Sequence, residues 1–284
     1  METIGQTKMW CFFSDAPQCE VAKNTAVRQG SGHLVKSYLE LATKIAELQF
    51  LNRDYVLLFR GQTHDHRNTK NNTTLKPKLF RPITSGNPNA QTLISRFEKL
   101  KQAERELVSR YVEEDFLGVE RLKRHRILRW AILQHYEVCP TPLLDVTHSL
   151  RIAASFASHG VPQESFIFVL GIPNLSGAVT ASAEAGLQIV RLSSVCPPTA
   201  LRAHIQEGYL LGEYPEMSDY AQKEHYFHYE IDFGRRLVAK FRFDPKTFWK
   251  SDTFPRVGEK ALYPGPSNDP LYKLALEVTK AVNH

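Results

Sequence analysis

The sequence predicts an α+β fold in which a helical first half packs on a mixed or antiparallel β-sheet. Two observations predict it. Between residues 33 and 137 the apolar residues recur mostly at helical spacing, interrupted by one compact apolar run at 54–61. Beyond residue 143, short β-forming runs alternate with Pro, Gly and Ser, the punctuation of strands and turns. With 284 residues, 42% of them apolar, the chain can bury a sizeable core, which excludes intrinsic disorder.

Residues 1–32 mix Gly, Gln, Asn and Cys without a sustained period and are expected to form an irregular lead-in. From 33 to 51, Leu34, Tyr38, Leu41, Ile45 and Leu48 mark the first helix. Residues 54–61 are too short and too rich in β-formers for a helix, so a buried strand is expected, with Arg60 at its exit. The stretch 62–74 reads as a polar loop; its His64 and His66 have no Cys or acidic companions at ligand spacing, and no metal site is expected. Residues 89–137 give two or three helices, which Pro140 and Pro142 bring to an end. Residues 143–149 then run extended, and Ser149 is placed to cap a helix bearing Ile152, Ala153, Phe156 and Ala157. Further strands are expected at 165–171, 187–192, 208–211 and 225–233, followed by a turn at 260–266 and a short helix at 271–282.

The net charge is +6, but Lys and Arg are spread along the chain and locally balanced. The basic run Arg121, Lys123, Arg124, Arg126 and Arg129 is either a solvated helix face, the commoner case, or a stripe that contacts phosphates of a nucleic acid. The four cysteines are scattered and read as reduced thiols. No apolar stretch approaches the roughly 20 residues of a membrane span, and the first ten residues do not resemble a signal peptide. A cytoplasmic protein without a membrane partner is expected.

Arg60 leads the candidate site residues, because a fork-shaped permanent cation at a strand end suits a phosphate or carboxylate. Gly61 beside it permits close backbone approach. An Arg paired with Asp145 to hold two segments together fits the spacing equally well. His135, between Gln134 and Tyr136, suits an acid, a base or a satisfied structural role. Asp145, Thr147 and Ser149 alternate, so an extended backbone puts them on one face, with Leu144 and Val146 on the other. Gln206 and Glu207 stand just ahead of a strand. No nucleophile elbow, HExxH or phosphate-cradling Gly loop occurs.

Taken in order, these segments resemble the FRG-domain family, named for an aromatic-Arg-Gly motif that here reads Phe59-Arg60-Gly61-Gln62. Leu75, Pro77, Leu79 and Arg81 follow in a similar L-x-P-x-L-x-R pattern. The most specific match is Leu133-Gln134-His135-Tyr136, Pro140-Thr141, then Leu143-Leu144-Asp145 with Thr147 and Ser149. Gln206-Glu207-Gly208-Tyr209 and Ala261-Leu262-Tyr263-Pro264 resemble two later elements. Glu137 stands where the family tends to have Gly, Pro142 where it has Arg, and Val146 where it often has Trp. The resemblance implies a single FRG-type domain over residues 33–284 behind the lead-in.

The order Arg, Thr-x-Ser, Gln/Glu is also similar to that of NAD-using ADP-ribosyltransferases, which implies such a fold and activity and the role of a bacterial toxin or antiphage effector. In that scheme Arg60 holds the pyrophosphate or ribose, and Thr147 and Ser149 shape the nicotinamide pocket. Gly61, Gln134, Tyr136 and Gln206 border the nucleotide, His135 and Asp145 assist catalysis, and Glu207 stabilises the developing oxocarbenium. Glu213 or Glu216 is the substitute acid, since an E-x-E pair is missing. NAD is then a substrate, the acceptor is unspecified, and the alternative is a non-catalytic module that binds nucleotide or nucleic acid.

Overall fold

Leu57, Leu58 and Phe59 are all buried in consecutive positions, so the run expected to be a strand is covered on both faces. The computed structural model, which describes residues 1–13, 15–83, 86–160, 163–174, 176–226, 231–250 and 253–283, shows why. Its strands among the described residues are β1 (Met9–Cys11), β2 (Glu20–Ala22), β3 (His33–Leu34), β4 (Tyr55–Gln62), β5 (Leu144–Thr147), β6 (Ser165–Pro173), β7 (Val179–Ser182), β8 (Leu187–Arg191), β9 (Gly208–Glu213) and β10 (Leu237–Phe243). β1 and β2 form a small antiparallel pair, and the other eight make one sheet in the order β3-β10-β6-β4-β5-β9-β8-β7. The sheet is mixed, since β3 runs parallel to β10 while every other neighbour is antiparallel.

Period-two alternation divides the core between the faces. Leu57 and Phe59 of β4, with Ile167 and Val169 of β6, pack against the helices Tyr38–Leu51 and Leu150–Ala157. Leu58, Phe166, Phe168 and Leu170 face the other way, into a larger cluster with the helices Ala90–Glu113, Arg126–His135 and Pro270–Asn283. The α+β expectation is met, with helices on both sides of the central strands.

Local chemistry sets the boundaries. The helix expected from residue 33 begins at Tyr38: Ser37 accepts a hydrogen bond from the Glu40 amide, the Glu40 carboxylate accepts one from the Lys36 amide, and His33–Leu34 joins the sheet edge instead. Asn89 caps Ala90–Glu113 by accepting from the Thr92 amide. Ser149 occupies the cap position of Leu150–Ala157, but its side chain makes no cap bond; the Thr147 hydroxyl takes the Ser149 amide instead. Within residues 1–32 the structure places β1, β2 and a helix at Asn24–Gln29, with Ile4, Met9, Cys11 and Phe12 buried.

Of the strand expected at 225–233, positions 227–230 lie outside the described residues, and Phe233 opens a 3-10 turn rather than a strand. β7 and β10 are not expected from the sequence; in β10, Lys240 interrupts the apolar run. Lys240 is buried all the same, its ammonium donating to Asp65 at 2.7 Å and to Thr73 at 2.9 Å.

β4 and β5 are joined by a single residue pair, Phe59↔Thr147, whereas β4 and β6 pair along eight residues from Tyr55 to Gln62. The sheet is therefore two four-stranded halves that meet at a seam and then splay. On the helical side of the seam, a Cβ at Gly61 would stand 1.8 Å from the Ala153 carbonyl oxygen and 3.0 Å from the Ala157 nitrogen. Gly61 thus lets the Leu150–Ala157 backbone lie directly on β4. Gly61→Ala is expected to push this helix outward and destabilise the fold by about 1–3 kcal/mol, read as a lower urea midpoint at unchanged m-value. A midpoint equal to that of the parent would refute the contact.

Candidate functional site

The splayed seam opens into a cavity of about 370 Å3, lined by residues from β4, β5 and β9, the end of the Arg126–His135 helix, the 62–66 loop, and Phe156, Arg202, Gln206 and Tyr263. Its volume lies at the lower end of the range of about 300–1,000 Å3 for small-molecule sites. Among the sequence-predicted residues, Arg60, Gly61, Gln134, His135, Asp145, Thr147 and Gln206 line it. Tyr136, Ser149 and Glu207 do not.

Arg60 leaves β4 on the face of Leu58 and reaches across the seam, where its Nη1 donates to the Asp145 backbone carbonyl at 2.6 Å. Among the described residues no ion pair joins the two side chains, so the carboxylate of Asp145 is held by another partner. Gln134 donates from Nε2 to Asp145 Oδ2 at 2.6 Å and accepts from the buried Thr141 hydroxyl at 2.7 Å, which fixes the amide with its NH2 group toward Asp145. Burial pulls the Arg60 guanidinium down to about 10, with Asp145 opposing the shift and Arg81 adding to it. Burial also raises the Asp145 carboxyl above its ordinary range, against the field of Arg60, the Gln134 bond and the field of Arg202.

His135 is buried at the helix end, its ring edge-on to Tyr136. Burial, reinforced by the Arg202 guanidinium and opposed by a hydrogen bond to the Arg202 backbone, holds its pKa well below 6.5. The ring is therefore neutral, and its Nε2 has no protein partner. Arg202 donates to Glu137 at 2.9 Å and lies over the rings of Tyr263 and Tyr136, at 4.9 and 5.6 Å from their centroids. Tyr136 itself sits behind the wall, donating to Asp269, and Gln206 Nε2 donates to the Leu262 carbonyl at 2.7 Å.

Thr147, expected to shape the nicotinamide pocket, lines the cavity but commits its hydroxyl to the Gln206 and Glu207 carbonyls at 2.9 and 3.1 Å and so pins the turn before β9 to β5. Glu207 has a positive φ of 45° and an exposed side chain off the cavity. Glu213 pairs with the fully buried Lys223 at 2.7 Å, and Glu216 is raised by burial in a different place, beside Arg126 and Glu104. Among the described residues, the carboxylates that line the cavity are those of Asp145 and Glu137.

Residues 56–165 match the family model of the FRG domain. The chain carries an FRG domain. No curated protein and no solved structure gives a match, and among the described residues no helix is long and apolar enough to cross a membrane. Within the FRG domain the aromatic-Arg-Gly motif is the exit of β4 at the seam: Phe59 makes the last pair, Arg60 bridges to β5, and Gly61 seats the helix behind. Glu137, at the position where a Gly was expected from the family pattern, has φ 58°, a left-handed conformation that Gly adopts more readily. Its side chain is the partner of Arg202, an arginine contributed from outside the matched segment.

The sequence reading did not single out Gln62, His64, His66, Phe156, His159, Arg202, Tyr209 or Tyr263 as site residues. Gln62 was legible, since it stands two residues after Arg60 on the same face of a strand. His64 and His66, read as surface residues, are exposed and stand at the cavity mouth. Arg202 carries no local signal. Among the described residues no group of His, Cys, Asp and Glu is arranged to hold a metal ion.

Two predictions follow from the electrostatics. Asp145 has a folded pKa above its unfolded value of 3.8, so its contribution to stability is full below that value and is lost as pH rises through the folded pKa. At neutral pH Asp145→Asn should therefore leave the melting temperature unchanged or raised. A loss of about 3–5 kcal/mol would instead mark a buried structural ion pair with Arg60. His135 has the opposite sign: stability is present above pH 6.5 and is lost as pH falls below it toward the depressed folded value. His135→Gln should flatten the acid limb of a melting-temperature profile, and an unchanged limb would show that the ring is not held neutral.

Proposed function

We propose that the seam cavity binds a nucleotide of the NAD class and that the chain transfers ADP-ribose from it, with nicotinamide as the leaving group. One observation carries the reading: four buried polar atoms without a protein partner, Arg60 Nε, Arg202 Nε, Gln62 Oε1 and His135 Nε2, all belong to residues that line this cavity. Natural proteins satisfy nearly all such groups, so a converging set of them is complementary to a ligand. The two guanidinium N–H groups require acceptors, which a pyrophosphate supplies. Gln62 Oε1 and the neutral His135 require donors, which ribose hydroxyls and a carboxamide supply. Phe156, Tyr209 and Tyr263 add aromatic surface for a planar ring.

Arg60 and Arg202 would hold the phosphates, and Asp145 would face the positive charge that develops on the ribose as the leaving nicotinamide takes the bonding electron pair. Asp145 replaces Glu207 in this role because, of the two carboxylates at the cavity wall, Glu137 is paired with Arg202 while Asp145 is oriented by Gln134 and Thr141. The acceptor nucleophile then joins the ribose carbon and gives up its proton; with water as acceptor the products are ADP-ribose, nicotinamide and a proton.

Titration calorimetry with NAD, paired with an assay for nicotinamide release, tests both halves. Arg60→Met and Arg202→Met should each weaken NAD binding at least tenfold with the fold retained, Arg60→Met at a cost of about 1–3 kcal/mol for the Asp145 carbonyl it strands, and Asp145→Asn should abolish nicotinamide release while NAD still binds. If NAD binds but no nicotinamide appears across a panel of acceptors, the same orphaned atoms describe a non-catalytic nucleotide sensor. If NAD does not bind, the reading is wrong.

A further inference from the structure

Arg202 would hold a ligand phosphate, yet its guanidinium already carries an anion. Nη2 donates to Glu137 Oε1 at 2.9 Å, while Nε, on the same two-pronged donor edge, is buried and has no hydrogen-bond partner among the described residues. Glu137 therefore takes half of a fork that an oxyanion can take with two parallel bonds.

The two partners differ in freedom. The Arg202 side chain is 9% exposed, and its guanidinium lies over the rings of Tyr263 and Tyr136. The Glu137 side chain is 64% exposed. Its backbone is fixed at the end of the helix Arg126–His135: the Glu137 amide donates to the Gln134 carbonyl at 3.1 Å, and the Val138 amide to the Leu133 carbonyl at 2.9 Å. Glycine would hold the φ of 58° there at a lower conformational cost, so the turn gives no reason for a carboxylate. Rotation of one exposed side chain takes that carboxylate off Arg202, and no part of the wall has to move. Beyond burial, the field of Glu137 adds to the upward shifts of both Asp145 and Tyr263, so its charge reaches across the cavity and opposes an entering anion.

We infer that Glu137 is an internal competitor for the phosphate subsite at Arg202 and thereby a specificity determinant of the cavity. A ligand oxyanion that takes both the Nε and Nη2 protons displaces it, and an uncharged nucleoside has nothing to exchange for the carboxylate. The inference rests on the reading that places a phosphate at Arg202, and it is independent of any release of nicotinamide.

Titration calorimetry with inorganic pyrophosphate tests it. Glu137→Gln keeps the side-chain shape and the backbone conformation, and it should bind pyrophosphate about fivefold more tightly than the parent, the weight of a partly exposed ion pair. Glu259→Gln is the control. Its carboxylate is exposed, stands 3.8 Å from His159 at the cavity mouth and also adds to the shift of Tyr263, so a general field effect would give both variants the same gain. Glu259→Gln should instead stay within about twofold of the parent. Arg202→Met and the double variant Glu137→Gln, Arg202→Met should bind pyrophosphate alike, and adenosine should show no gain with Glu137→Gln. Equal gains in the two glutamine variants overturn the inference, as do a gain that survives the loss of Arg202, an equal gain for adenosine, or no detectable binding of pyrophosphate to parent and Glu137→Gln. The comparison of the two glutamine variants decides the matter even if the double variant does not fold. Repeating the titrations with NAD separates the two readings. A pyrophosphate gain without NAD binding overturns the NAD reading and keeps this one, whereas NAD binding without a pyrophosphate gain does the reverse.

Discussion

The single residue pair Phe59↔Thr147 is the constraint on which the molecule's chemistry depends. A sheet of eight strands would ordinarily close its central ladder, because unpaired main-chain groups in a buried setting are costly. Here β4 and β5 diverge after one pair, and the Asp145 carbonyl left over on β5 is satisfied by the Arg60 guanidinium instead of a backbone amide. The substitution converts a ladder position into a cavity wall. It also explains why the arginine follows an aromatic residue and precedes a glycine: the three positions close the pair, bridge the gap and seat the helix that backs it.

Elsewhere the chain shows how it treats buried charge when structure alone is at stake. Lys240 has both Asp65 and Thr73, and Lys223 has Glu213. In the cavity the treatment is different. Arg60 and Asp145 are both shifted toward neutrality by burial without a direct ion pair between them, and Arg60, Arg202, Gln62 and His135 each keep an unpartnered polar atom. Of the buried side-chain polar atoms without a hydrogen-bond partner among the described residues, four lie at this cavity and the others, on Asn72, Arg110 and Arg126, are scattered, and such a clustering is the pattern of a site shaped by binding.

The two cationic regions differ in kind. Arg60 and Arg202 are held in one geometry by a carbonyl, a carboxylate and two aromatic rings, which suits a ligand recognised atom by atom. The cations Lys101, Lys123 and Arg126 on the helical surface are half-buried or exposed and pair with Glu98, Glu120 and Glu104, as charges on a solvated face do. One helix connects the two regions, with an arginine at its first residue and a histidine at its last.

By itself the sequence determined the local pieces. The buried strand around Arg60, the helices between 89 and 137, the proline stop and the extended Asp145 segment all follow from periodicity and turn chemistry, which act over a few residues. So did the gathering of Arg60, Gln134, His135 and Asp145, whose order matched the FRG pattern. What only tertiary structure decided lies in contacts between residues far apart in the chain. β10 can carry a lysine into the buried sheet because Asp65 and Thr73 receive it. Arg202, some 140 positions after Arg60, enters the wall because Glu137 and two tyrosines hold it. Glu207, in sequence the obvious acid, turns outward because its backbone adopts a positive φ while its carbonyl is held by Thr147. Sequence patterns report which face of an element is apolar, and the long-range pairing that selects the facing groups is set only when the two half-sheets meet.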